Sequence, residues 1–257
     1  NIEKYIGEIK MLWTEKYRPQ FLNEIVGQSS FALDAEQWVK NKSMPNVLLF
    51  GVAGTGKTAA AGALANEMLT DYKQSNFFEI NASDDRKLES VRTQIKEIAS
   101  TSKIGDAPFK IILLDEMDGM TKDAQNALKR IMERYADNCR FIITCNERHK
   151  IIYPLQSRCA NYQFNRLSDE NIRFILEQIL SQEKQETPDI AEMEAFIGGL
   201  HGDIRRGITE LQASIFSDSP LSTVTKQSLE PYSEIIQMIL ENKHTDALDK
   251  LHSMVYQ

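Results

Sequence analysis

The segment GVAGTGKT, Gly51 to Thr58, is where residue types and spacing first dictate a chemistry. It satisfies G-x-x-x-x-G-K-[ST], follows a short apolar run and opens an alanine-rich stretch, the strand-loop-helix setting that the motif requires. In that setting the glycines let the backbone N–H groups of Gly51, Val52, Ala53, Gly54, Thr55 and Gly56 converge on phosphate oxygens, and the helix N-terminus adds favourable potential. Lys57 then reaches the β- and γ-phosphates, and Thr58 offers a hydroxyl to magnesium. The chemistry is the binding of a nucleoside triphosphate.

Three further positions extend it. "IILLDEMD" ends an apolar run on Asp115, so its carboxylate falls at the carboxyl edge of a strand, where it can hold a magnesium shell; Glu116 can polarise a water for in-line attack on the γ-phosphate. "FIITCN" brings Asn146 to the same edge, where an amide can touch both phosphate and water. Arg158, in "PLQSRC", immediately precedes a strand and so lies near the opposite, amino edge. Geometry leaves it two readings: a structural arginine, or a finger for the nucleotide of an adjacent subunit.

These residues need a scaffold that brings distant strand ends together. Five β-branched or aromatic runs, Asn46 to Phe50, Phe77 to Ile80, Ile111 to Asp115, Phe141 to Cys145 and Asn161 to Phe164, alternate with segments of helical period. One such segment carries Leu88, Val91, Ile95 and Ile98; another carries Ala124, Leu128, Ile131 and Tyr135. The alternation predicts an α/β domain whose five-stranded parallel sheet is covered on both faces. Strand signals end near residue 164. A helix capped by Ser168, a second after Pro188, and "GDIRRGITELQASIF" with Ile204, Ile208, Leu211 and Ile215 on one face predict a small all-helical domain.

The bulk numbers agree with this organisation. A chain of 257 residues suggests about two domains. With 42% hydrophobic and 26% charged residues it can form an ordinary core, and a net charge of −7 confines any nucleic-acid contact to a local basic surface. No apolar run approaches a membrane span, and the opening residues are too polar for a signal peptide, so an intracellular location is expected. Cys139, Cys145 and Cys159 form no CxxC and read as small buried hydrophobes.

"WTEKYRP", "GVAGTGKT", "EINASDDR", "DEMD", "ITCN", "QSRC" and "GDIRR" occur in the order seen in clamp-loader ATPases of the AAA+ superfamily. From about Leu12 onward the chain resembles the replication factor C small-subunit family. The resemblance implies an AAA+ P-loop NTPase fold: residues 1–11 an extension, 12–164 the nucleotide-binding domain, 165–227 a helical lid, and 228–257 the beginning of a helical collar. It implies ATP and Mg2+ as cofactors, and Lys57, Asp115, Glu116, Asn146, Arg158 and Arg205 as the catalytic set. Within that set Arg158 completes a neighbour's site, while Arg205 contacts ATP in cis. Tyr17, Arg18, Val26 and Gly27 match the segment around the adenine. Val52 and Ala53 depart from the proline pair usual in this loop.

The resemblance further implies other clamp-loader subunits, large and small in a pentamer, together with a sliding clamp and primer-template DNA. A nuclear location follows if the source is eukaryotic, a cytoplasmic one if archaeal. Arg86, Arg92 and Lys96 on one helix, with Lys150 in "ERHKII", would follow the DNA backbone through phosphate contacts. Without the resemblance these cations read as a solvated face. Two other functions fit parts of the pattern. A nucleotide-gated scaffold would bind ATP with little hydrolysis. A P-loop kinase would leave Arg158 and Arg205 only partly explained.

Overall fold

The computed structural model describes residues 11–82 and 88–217, with Leu221 and Met238; within these, the side chains of residues 88–92 are not described. Arg86, the Arg92 side chain and most of the region beyond residue 217 lie outside the described set.

Strands β1 (Asn46–Phe50), β2 (Phe77–Asn81), β3 (Lys110–Asp115), β4 (Cys139–Cys145) and β5 (Cys159–Gln163) form one sheet in the order β2-β3-β4-β1-β5. Every pairing is parallel. The helices are α1 (Trp13–Lys16), α2 (Ser29–Lys40), α3 (Lys57–Leu69), α4 (Lys73–Asn76), α5 (Leu88–Ser100), α6 (Lys122–Arg134), α7 (Tyr153–Gln156), α8 (Asp169–Gln182), α9 (Ile190–Leu200) and α10 (Ile204–Ser217).

Successive strand residues point to opposite faces, and here each face has its own apolar cover. Val47, Leu49, Ile111, Leu113 and Ile142 pack with Phe31 of α2 and Leu64 of α3. Leu48, Ile112, Leu114, Phe141 and Ile143 pack with Ile95 of α5 and Leu128 and Met132 of α6. Coverage of both faces explains why the strands read as continuous apolar runs rather than alternating ones. Burying each such side chain stabilises the fold by about 1.5–3 kcal/mol.

Helices α8 to α10 form a separate cluster around Leu176, Phe196 and Leu211, and Trp13 from the start of the chain packs inside it. Ser168 caps α8 as its sequence position predicts, accepting from the Asn171 N–H at 3.3 Å. The bounds of four strands shift from the sequence expectation by one or two residues, with β4 beginning at Cys139 rather than Phe141. β5 begins at Cys159 rather than Asn161, directly after Arg158. Helix α2 carries no expected signal, because it buries only Phe31 and Ala35 and its N-cap, Gln28, makes no side-chain cap.

Lys110, 2% exposed at the start of β3, is a polar pin in the core. Its ammonium donates to Ile98 O at 3.0 Å and Thr101 O at 2.9 Å, and to the Thr101 hydroxyl, at the C-terminal end of α5. Asn138 donates to Ala99 O and Thr101 O at the same place. Lys110→Met keeps the stem and removes the donors, so the unfolding free energy from urea denaturation is expected to fall by about 1–3 kcal/mol. An unchanged midpoint would show that water can serve those carbonyls.

Candidate active site

The phosphate loop starts where β1 ends, and the ladder carries it one step further: Gly51 N–H donates to Cys145 O at 3.2 Å. Phe50 pairs with Cys145, so the loop opens beside Asn146. Two glycines are dictated by neighbours. A Cβ on Gly51 would lie 2.1 Å from Phe164 O. At Gly54, with φ +78°, a Cβ would lie 2.1 Å from Asp203 Oδ1 of the helical region. Thr55 braces the loop internally, donating to Val52 O at 2.9 Å.

Lys57 is buried at the first position of α3. Its ammonium donates to Gly51 O at 2.8 Å, Val52 O at 2.9 Å and Asn146 Oδ1 at 3.0 Å. Burial holds its pKa below the ordinary lysine value; Cys145, Asp115 and Asp118 oppose that shift and Arg205 reinforces it. Arg205, in the first turn of α10, is therefore close enough for its charge to be felt at the loop. The adjacent Arg206 is turned to Glu210 at 2.6 Å.

Strand register builds the acidic side. Ile111 and Leu113 face α3, so Asp115 does too and meets the first turn of that helix. Thr58 Oγ1 donates to its carboxylate at 2.9 and 3.2 Å. Glu116, exposed, has left-handed backbone (φ 54°, ψ 43°), and its N–H donates to Thr144 Oγ1 at 3.1 Å. Asp118 accepts from the Asn146 N–H at 3.2 Å. One edge of the sheet thus gathers Lys57, Thr58, Asp115, Glu116 and Asn146.

The oxygen pair of Thr58 and Asp115 suits a hard cation such as Mg2+, which takes few protein ligands and completes its shell with phosphate and water. Among the described residues no group of three His, Cys, Asp or Glu could hold another metal. Burial pushes the Cys139 thiol up to about 11 and the Cys145 thiol up to about 12, as expected of inert core residues.

Arg158 lies at the opposite edge, just before β5, whose Cys159 pairs with the first residue of β1. Its guanidinium donates to Glu133 Oε1 on α6, from Nε at 2.9 Å and Nη2 at 2.5 Å, and to Pro154 O at 2.7 Å. The Tyr17 hydroxyl donates to Glu183 at 2.5 Å, at the end of α8, and Arg18 pairs with Glu15 at 3.5 Å. Val26 is half-buried, and the Gly27 backbone packs against Leu167 and Asn171. Lys96 is exposed on α5; Lys150 is paired with Glu147 at 2.5 Å, in the loop after β4.

Sequence reasoning missed several residues that organise this edge. Gln125, 1% exposed on α6, donates to Met120 O at 3.0 Å and Lys150 O at 3.1 Å and accepts from Ile152 N–H at 2.9 Å. It thereby ties the segment after β3 to the segment after β4. Thr144, Asp118 and Asp203 stand inside ITCN, DEMD and GDIRR, but those motifs point to their neighbours; Glu133, which holds Arg158 at the opposite edge, carries no motif signal.

Residues 47–167 match the family described as "ATPase family associated with various cellular activities (AAA)". The Thermotoga maritima RuvB Holliday junction branch migration motor superposes with a TM-score of 0.69 at 18% identity, covering 88% of this chain and 80% of that one. Fold and phosphate loop together define a nucleotide-binding ATPase of the AAA class. Among curated proteins, the replication factor C small subunit of Methanosarcina acetivorans is 42% identical over 255 residues, covering 96% of this chain and 75% of the relative. That of Methanococcus maripaludis (strain C7) is 40% identical over 249 residues, covering 95% and 79%. The chain belongs to the replication factor C small-subunit family.

Gly54→Ala should expose how closely loop and helical region interlock. Its methyl group would collide with Asp203 and occupy a left-handed backbone position. Binding of a fluorescent ATP analogue is expected to weaken by about tenfold or more, which at about 1.4 kcal/mol per decade is the loss of one good contact. Wild-type affinity would mean that Asp203 and the loop separate freely.

Proposed function

We propose that the chain is an ATP-hydrolysing small subunit of a clamp loader, which opens a ring-shaped sliding clamp and loads it onto primed DNA. The observation that carries this reading is the division of the polar set across the sheet. Lys57, Thr58, Asp115, Glu116 and Asn146 share the carboxyl edge, whereas Arg158 precedes β5 at the amino edge. A nucleotide held by the loop can receive a second cation from a neighbouring subunit, but not from its own Arg158.

The residues divide the work as follows. The loop amides and Lys57 hold the triphosphate, and Arg205 adds a cation from the helical side. Glu116 accepts a proton from the attacking water as a bond forms from its oxygen to the γ-phosphorus and the bond to the β,γ-bridging oxygen breaks, leaving ADP and phosphate. Asn146 orients water and phosphate, its backbone held by Asp118 and its side chain by Lys57. Thr58 and Asp115 would hold Mg2+, which when bound neutralises charge on the β- and γ-phosphates. Arg158 of one subunit stabilises the transition state in the next.

The working complex is a pentamer with large and small companion subunits. Binding ATP bridges adjacent subunits through Arg158 and hydrolysis removes that bridge, so the clamp is gripped in one state and released in the other. Lys96 and Lys150, together with Arg86 and Arg92, supply phosphate contacts to primer-template DNA. Such contacts give salt-dependent binding without base readout; Lys150 must share its charge with Glu147.

Glu116→Gln is expected to lower steady-state hydrolysis by about 100-fold or more while ATP affinity stays within about twofold of wild type. Retained turnover would favour a scaffold that does not depend on its own hydrolysis. Arg158→Ala, placed in this subunit alone, should leave its own ATP affinity unchanged and cut turnover at the adjoining site by about 1000-fold. Loss of ATP binding by the isolated variant chain would refute a role in trans.

A further inference from the structure

Thr144 stands between the two acidic residues assigned above, and its hydroxyl bonds to both. It is 1% exposed in β4, the strand flanked by β3 and β1. Leu114 pairs with Ile143, so the next residue of each strand brings Asp115 alongside Thr144. The hydroxyl is in hydrogen-bond contact with Asp115 Oδ1, and the Glu116 N–H donates to it at 3.1 Å.

Donor logic fixes the direction of both bonds. A backbone N–H can only donate, so the Thr144 oxygen accepts from Glu116 and its single proton goes to the carboxylate. Asp115 Oδ1 thereby receives two hydroxyls, from Thr144 and from Thr58. The N–H bond also holds Glu116 in a left-handed backbone that a residue with a Cβ adopts at a cost of about 1–2 kcal/mol. Without that turn, strand alternation would send the Glu116 side chain to the α5–α6 face, away from the phosphate loop. A β-branched side chain suits the task, because its χ1 is stiff and the oxygen stays where both partners need it.

We propose that Thr144 is a positioning residue for the ATPase site, setting the Asp115 carboxylate toward the cation and the Glu116 backbone toward the attacking water. The inference rests on the roles given to Asp115 and Glu116 in the proposed function. It assigns Thr144 no contact with nucleotide, so its removal should spare metal-free binding and strike cation-dependent binding and turnover together.

The test titrates the full chain with a fluorescent ATP analogue, in Mg2+ and in EDTA, and measures turnover in the assembled complex. For Thr144→Val, affinity in EDTA should stay within about twofold of wild type. The gain in affinity on adding Mg2+ should fall by about tenfold, and kcat by about 10–100-fold, with KM in Mg2+ rising in step with the lost affinity. Thr144→Ser, which keeps the hydroxyl, should restore the Mg2+ gain and most of kcat. Thr144→Ala serves if valine does not fold, with the same pattern expected. A wild-type Mg2+ gain in the valine or alanine variant would overturn the proposal, as would equal losses in serine and valine variants, which would point to packing rather than hydrogen bonding. Glu116→Gln run in parallel keeps the two ideas apart: turnover surviving that change refutes the hydrolysis reading, while the Mg2+ titration still decides the role of Thr144.

Discussion

The ladder between β1 and β4 sets the geometry from which the rest of the site follows. Parallel strands share one polarity, so every strand end that must meet a phosphate does so on one edge. The bond from Gly51 N–H to Cys145 O continues that ladder past Phe50, and so the phosphate loop leaves the sheet against the residue preceding Asn146. Slipping the register by one residue would turn the Asp115, Thr144 and Asn146 side chains to the wrong face. The two apolar layers therefore do more than stabilise the sheet. By burying alternate residues on opposite sides they fix which face each polar strand-end residue meets.

The helical region is joined to this edge by contacts that are short and specific. Asp203 sits against the backbone of Gly54, and on the segment that leads from β5 into the helices Phe164 O lies against Gly51 while Asn165 O accepts from Gln28 at 2.9 Å. Arg205 follows Asp203 by two residues, so its charge arrives near Lys57 only while these contacts hold. Lys16 and Tyr17 both bond Glu183, anchoring the N-terminal segment to the same helical cluster. A few contacts thus couple the position of one cation to the conformation of the loop.

Much of this could be read from the sequence, because the signals were local. The glycines and lysine of the loop, the apolar runs ending in Asp115 and Asn146, the Ser168 cap and the apolar stripe of α10 each depend on residues a few positions apart. The organising residues depend instead on pairing between strands and helices. Thr144 looks like one more β-former in an apolar run, Glu133 like one more charge on an amphipathic helix, and Asp203 like a helix cap. Only register and packing reveal what each touches. Tyr17 is a related case: its ring packs against Trp13 and its hydroxyl meets Glu183, a partner 166 residues away that no local pattern could announce.

The same long reach bears on how the chain folds. The Trp13 N–H donates to the Gln212 side chain, 199 positions later, and the indole fills the centre of the helical cluster. Closing so long a loop carries a large entropic cost, although that cost grows only slowly with length. During synthesis the helices after residue 168 emerge later than the sheet, and their core stays incomplete until the Trp13 segment, made well before them, returns to it. The sheet can consolidate before that happens; the piece that carries Arg205 to the loop must wait for both ends of the described chain to meet.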